Sequence, residues 1–156
     1  MTPWENWEFS SELNRLSSLI EIIEKNTGII PDQLISLSCE RVCISICSSF
    51  EHGVKKIIFE YAKIQINNVN DFVVELTRYR LKQVRNPKSN EVKHLVKLFD
   101  PNFTYESNNE TILNELVDKR IAFAHETGEH SHITIGDLKK YLNAYKSFLE
   151  SLQGIF

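Results

Sequence analysis

Glycine and proline are scarce, five and four in 156 residues. With 42% hydrophobic and 25% charged residues, the composition is that of an ordinary soluble globular protein. There is no internal repeat and no low-complexity segment. No run approaches the roughly 20 apolar residues needed to cross a bilayer, and the acidic opening "MTPWENWEF" lacks the basic region of a secretion signal. A cytoplasmic protein with no membrane partner is expected. Cysteine is limited to Cys39, Cys43 and Cys47, spaced every four residues. On a helix these form one stripe, which cannot supply the paired C-x-x-C arms of a zinc site. They read as small, reduced core residues rather than as a metal or redox centre. Nor is there an overall basic excess: the formal net charge is −3, which by itself argues against a nucleic-acid binder.

What is present is helical punctuation. The length suits one hydrophobic core, so residues 1–156 are expected to form a single domain. Phe9, Leu13, Leu16, Ile20 and Ile23 fall at helical spacing and Gly28 is placed to end that helix. Pro31 opens a second helix, from about Asp32 to about Ile66, where Gly53 is the one place for a bend or pause. A third helix runs from Asp71 to Val84 and stops before Asn86-Pro87. Ser89 is placed to cap a short fourth helix ending at Phe99. A fifth spans Glu110 to His125 or Glu126, and a sixth begins between Thr134 and Asp137, with Leu138, Tyr141, Leu142, Tyr145, Phe148, Leu149 and Leu152 as its apolar stripe. The fold class is an all-α bundle of five or six helices.

The fifth helix carries a contradiction. Ile112, Leu116 and Phe123 fall at helical spacing, and the residue that completes their stripe is Arg120. Arginine is almost never fully buried without a partner. It either pairs with an acid on a neighbouring helix, snorkels to water, or marks a functional site. His125 lies at the end of the same helix, where it serves as a surface residue or as a proton carrier near neutral pH. Five residues along an α-helix give a rotation of roughly 140° and a rise of roughly 7.5 Å. Joint action therefore needs a distorted helix end, a long reach by Arg120, or a second copy of the helix across a two-fold axis.

Charge is unevenly placed. Arg78, Arg80, Lys82, Arg85, Lys88, Lys93 and Lys97 stand against Glu91 alone, a local +6 in a chain of −3. Such a segment is either a solvated helix face or a phosphate-facing patch. The cluster Glu126, Glu129, His130 and His132 has the residue types of a metal site but no partner motif, and reads as a solvated loop; no metal and no cofactor is expected.

"RIAFAH", Arg120 to His125, resembles the R-x4–6-H signature of HEPN domains. The order of features around it is similar to the RiboL-PSP type: a Phe-Glu-containing long helix in "SSFEHGVKKIIFEYA" (Ser48 to Ala62), a middle helix ending before Asn86-Pro87, a short helix, the Arg/His helix, then Ile133-Thr134 and a final amphipathic helix. The resemblance is strongest over residues 35–153, with residues 1–30 as an N-terminal helical extension. One position departs: the residue after the motif arginine is commonly polar in the family, and here it is Ile121.

The resemblance implies a homodimer whose two Arg/His pairs face one cleft. It also implies a metal-independent endoribonuclease of toxin or defence type, with an antitoxin or a neighbouring effector as a further partner. Arg120 and His125 would be catalytic, Glu51 supporting, and Arg78, Arg80, Lys82, Arg85 and Lys88 an RNA-backbone patch. The chemistry suits the residue types. Histidine can carry the proton of a 2′-OH or a leaving 5′-oxygen, and a guanidinium can hold the charge on the phosphorane. Two readings remain beside it: a catalytically weak HEPN dimer that binds RNA, a nucleotide or a partner protein, and a helical adaptor in which Arg120 only makes a buried salt bridge.

Overall fold

The computed structural model describes residues 2–65, 71–105, 107–125 and 132–154. Glu126, Glu129 and His130 of the expected solvated loop lie outside them. A 3₁₀ turn at Pro3–Asn6 precedes six helices: α1 Phe9–Asn26, α2 Asp32–Gln65, α3 Asp71–Gln83, α4 Ser89–Lys97, α5 Ser107–His125 and α6 Ile135–Gln153. The architecture is all-α, and among the described residues the only β pairing is a single bridge between Thr27 and Ile30. No helix among them is long and apolar enough to cross a membrane.

At 34 residues α2 is the spine, roughly 50 Å long at 1.5 Å per residue. α1, α5 and α6 pack against it, with α6 making the broadest contact. The apolar stripe of α6 is buried throughout, from Leu138 to Leu152. α1 buries Leu16, Ile20 and Ile23. Cys39, Cys43 and Cys47 form part of the face that α2 turns to the core, free and buried, and burial pushes the thiols of Cys43 and Cys47 up to about 12. They are packing residues.

Local signals set the helix ends. Gly28, with φ +81°, follows α1 in a conformation that favours glycine. Thr134 and Asp137 form a reciprocal cap on α6: the Asp137 N–H donates to Thr134 Oγ1 at 3.1 Å and the Thr134 N–H to Asp137 Oδ2 at 3.0 Å. Two expectations change. Lys88, not Ser89, is the N-cap of α4; its N–H donates to Glu91 Oε2 at 3.1 Å. Ser89 is the first helical residue, and its N–H goes to Asn114 Oδ1 at 2.9 Å. Nor does Gly53 interrupt α2. A Cβ there would stand 2.7 Å from Trp7 Cζ2 and 2.8 Å from Leu149 Cδ1, so the glycine exists to let the indole of Trp7 and Leu149 close onto the helix.

The N-terminal segment is a clip on that helix. Trp4 packs edge-on against Phe59, and Trp7 Nε1 donates to Ser49 Oγ at 3.0 Å, itself 2.9 Å from the Tyr145 hydroxyl. Glu5 accepts from the backbone N–H and hydroxyl of Thr2 and from Arg78 Nε at 3.0 Å. The Thr2 N–H is the main cause, followed by its hydroxyl and Arg78, of a carboxyl held down to about 2 against the opposing effect of burial. Because the folded value lies below the unfolded one near 4.5, this contribution is complete above that value and is lost as pH falls toward 2. Glu5→Gln is therefore expected to flatten the acid limb of a stability–pH profile between those values, measured by urea unfolding. An unchanged limb would assign the acid sensitivity to other carboxylates.

Candidate functional site

Three elements meet at Arg120. α2 supplies Glu51 and Lys55, one helical turn apart and facing inward. The turn between α3 and α4 supplies Asn86, and α5 supplies Arg120. Glu51 is only 9% exposed and Lys55 4%, and Lys55 Nζ donates to Glu51 Oε1 at 2.6 Å. The other carboxylate oxygen, Oε2, accepts the backbone N–H of Asn86 at 2.8 Å. The Asn86 side chain then accepts, at Oδ1, a hydrogen bond from Arg120 Nη1. The charges thus run Lys55, Glu51, Arg120, with one asparagine bridging the last two.

That bridge has an unusual backbone. Asn86 has φ +45°, the only positive φ among the described non-glycine residues, immediately before the buried Pro87. Asparagine tolerates the left-handed region better than most residues, and here its N–H and its carboxamide are both tied down. Such a conformation persists where the surroundings over-determine it. Burial raises the carboxyl pKa of Glu51, but the bond from Lys55, the Asn86 N–H and the charges of Lys55 and Arg120 together outweigh burial and hold it below its ordinary value. Glu51 is a buried carboxylate with its charge intact.

Arg120 is half-buried. No carboxylate among the described residues pairs with it directly, and its Nε is enclosed without a hydrogen-bond partner among them. Among the described residues only Asn86 accepts from the guanidinium, through Nη1. Its helix buries Leu113, Leu116 and Val117 completely, while Ile112, Ile121 and Phe123 pack at the edge of the core. The arginine therefore borders the core rather than interrupting it. His125 is exposed as the last residue of α5, with no bond to Arg120. α5 stays α-helical to its end, so no distortion brings the pair together.

The basic segment divides in two. Arg78 is held by Glu5 and Glu75 and lies over the Phe59 ring, its guanidinium carbon 5.0 Å from the centroid. Lys88 pairs with Asp118 at 2.8 Å, and Lys93 with Glu110. Arg80, Lys82 and Arg85 are exposed and have no partner among the described residues. Of the solvated loop only His132 is described, with Nδ1 3.2 Å from Ser36 Oγ, and no three potential metal ligands gather among the described residues.

The arrangement ties together three of the features that carry the sequence resemblance: the Phe-Glu helix, the Asn-Pro turn and the arginine of R-x4-H. The family model described as RiboL-PSP-HEPN matches residues 8–156. The chain belongs to this family. No curated protein and no solved structure matches it. The matched residues include α1 as well as residues 35–153, over which the sequence resemblance is strongest. Membership points to nuclease or RNA-related work and to the dimers and RNA binding typical of HEPN domains. Ile121, where a polar residue is common in HEPN domains, is a packing residue at the core edge. Lys55 and the side chain of Asn86 complete the constellation, and neither role is marked by a motif in the sequence.

Proposed function

We propose that this HEPN domain is a metal-independent endoribonuclease of toxin or defence type, acting as a homodimer in which two copies of α5 bring their Arg120/His125 pairs to one cleft. The observation that carries this reading is the state of Arg120: a guanidinium fixed at one nitrogen by Asn86, which is itself fixed by Glu51, with no other hydrogen-bond partner among the described residues. A donor set held in advance is what stabilises charge developing on a phosphorane, because no reorganisation is needed as the charge appears. His125, exposed on the same helix, takes the proton of the 2′-OH or delivers one to the leaving 5′-oxygen. As the 2′-oxygen attacks, its bond to phosphorus forms and the bond to the 5′-oxygen breaks, leaving a 2′,3′-cyclic phosphate and a 5′-hydroxyl. DNA lacks the nucleophile and is not cut. Glu51 acts through Asn86 as a positioning residue, and Arg80, Lys82 and Arg85 attract the RNA backbone. An antitoxin or neighbouring effector partner fits a nuclease that has to be restrained.

A labelled structured RNA incubated with the purified protein in EDTA is expected to yield fragments with cyclic-phosphate ends, while the matching DNA stays intact. Intact RNA from a folded, dimeric protein would favour a second reading, a HEPN module that binds RNA, a nucleotide or a partner protein without cutting. The apolar Ile121 is the observation in its favour.

A further inference from the structure

From Gln83 to Leu95 the chain ends one helix, turns at Asn86-Pro87 and begins another, and the two helix ends leave a hollow between them of about 650 Å³. Its apolar surface comes from Val84 and Leu95, both half-buried. Around this surface stand four polar side chains, Gln83, Arg85, Asn90 and His94, all exposed and without a hydrogen bond or ion pair among the described residues. That contrasts with Arg78, Lys88 and Lys93 of the same segment, which the fold neutralises. Glu91 also borders the hollow, but its Oε2 is committed to the Lys88 N–H.

We propose that this hollow is a subsite for one unpaired nucleotide of an RNA strand, an inference that rests on the RNA reading above. A base has two apolar faces and an edge of donors and acceptors, and it can be read at that edge only when it is out of the helical stack. Val84 and Leu95 offer a surface for a face, and the imidazole of His94 a stacking partner. The carboxamides of Gln83 and Asn90 each present a donor and an acceptor to the edge. Arg85 supplies the fork for the adjoining phosphate. The volume falls in the range of about 300–1,000 Å³ usual for small-ligand sites. The placement gives the subsite its role: the turn that carries Val84 and Arg85 also carries Asn86, which holds Arg120. The nucleotide seated here is held by the same turn that fixes Arg120, so the subsite selects which linkage is cut.

The test is an NMR titration of the ¹⁵N-labelled full chain with a 2′-O-methyl oligonucleotide, which has no 2′-OH to be cut, beside the same strand made abasic and a free mononucleotide. The intact strand is expected to shift the side-chain amide signals of Gln83 and Asn90, and the abasic strand to leave them in place. Asn90→Ala and His94→Ala are each expected to weaken binding roughly 3- to 10-fold and to alter the position of cleavage with the unfolding temperature unchanged. Equal shifts with the abasic strand, a mononucleotide that binds as tightly as the strand, or no response between Gln83 and Leu95 would each overturn the subsite. The outcomes separate the two proposals. RNA cleavage with a silent hollow removes the subsite alone, whereas base-dependent shifts without cleavage of ordinary RNA remove the nuclease alone.

Discussion

His125→Ala is expected to slow RNA cleavage about 10²- to 10⁴-fold, the usual worth of a positioned proton carrier, and to leave the unfolding temperature unchanged. The second half of that expectation follows from position: His125 is exposed at the last residue of α5 and packs into no core. Arg120→Ala is expected to lose about 10²- to 10³-fold, as when one donor to a developing oxyanion is removed. Unlike the histidine variant it also lowers stability, because Asn86 Oδ1 loses its donor and Glu51 loses a nearby cation. Arg120→Lys sharpens the argument. Lysine restores a charge beside Glu51 but not a planar fork able to hold Asn86 and a phosphate together, so stability should recover further than activity. Single-turnover rates and thermal melts on the three variants decide it. A wild-type rate from His125→Ala would remove the histidine from the mechanism, and equal recovery of rate and stability by lysine would reduce Arg120 to a point charge.

The helices were legible because their ends are written locally. Gly28, Pro31, Asn86-Pro87 and the Thr134/Asp137 box each act within four residues; α1 to α4 stop within two residues of the expected positions and α6 starts between Thr134 and Asp137 as expected. α5 starts at Ser107, three residues before Glu110, where the polar stretch "YESNNET" offered several equivalent starts. The α4 cap was misplaced by one residue because the decisive partner is Glu91, whose carboxylate reaches the Lys88 N–H; a serine nearby is the stronger sequence signal but was not the one used. Gly53 looked like a breaker, and its reason lies 46 positions away in Trp7. The site was half legible. Arg120 stood out as a charge at an apolar position, but its partner Asn86 is 34 residues distant and signalled only a helix stop. Lys55 and Lys56 are neighbours with the same chemistry, and only the packing of α2 makes one buried and lets the other reach Glu5 O at 2.8 Å. The signal for Lys55 was its spacing of four from Glu51.

Glu51→Ala is expected to be the most destabilising single change at the site, by about 3–5 kcal/mol, the usual cost of leaving one member of a buried pair alone. Lys55, 4% exposed, loses the acceptor at 2.6 Å. The Asn86 N–H loses its acceptor at 2.8 Å, at the residue whose left-handed backbone most needs holding. Glu51→Gln keeps an acceptor for that N–H but not the charge, and should fall between alanine and wild type. Since the carboxyl is held below its ordinary value in the folded protein, its contribution is complete above the unfolded pKa and fades as pH falls through the lower folded one. The wild-type advantage over Glu51→Gln should therefore shrink in acid. The double change Glu51→Leu with Lys55→Met removes both charges, and apolar replacement of a buried pair is often nearly neutral. The orphaned Asn86 N–H, at about 1–3 kcal/mol, and the loss of an anion near Arg120 would then remain. Urea unfolding of the wild type and the three variants tests the ordering, and a cost below about 0.5 kcal/mol for Glu51→Ala, typical of surface positions, would mean that the pair is hydrated rather than buried. RNA cleavage by the double variant carries the functional half. If Glu51 serves only stability, a refolded double variant cuts at the wild-type rate. If it sets Arg120 through Asn86, stability returns and the rate does not, because the guanidinium is no longer held where the phosphorane forms.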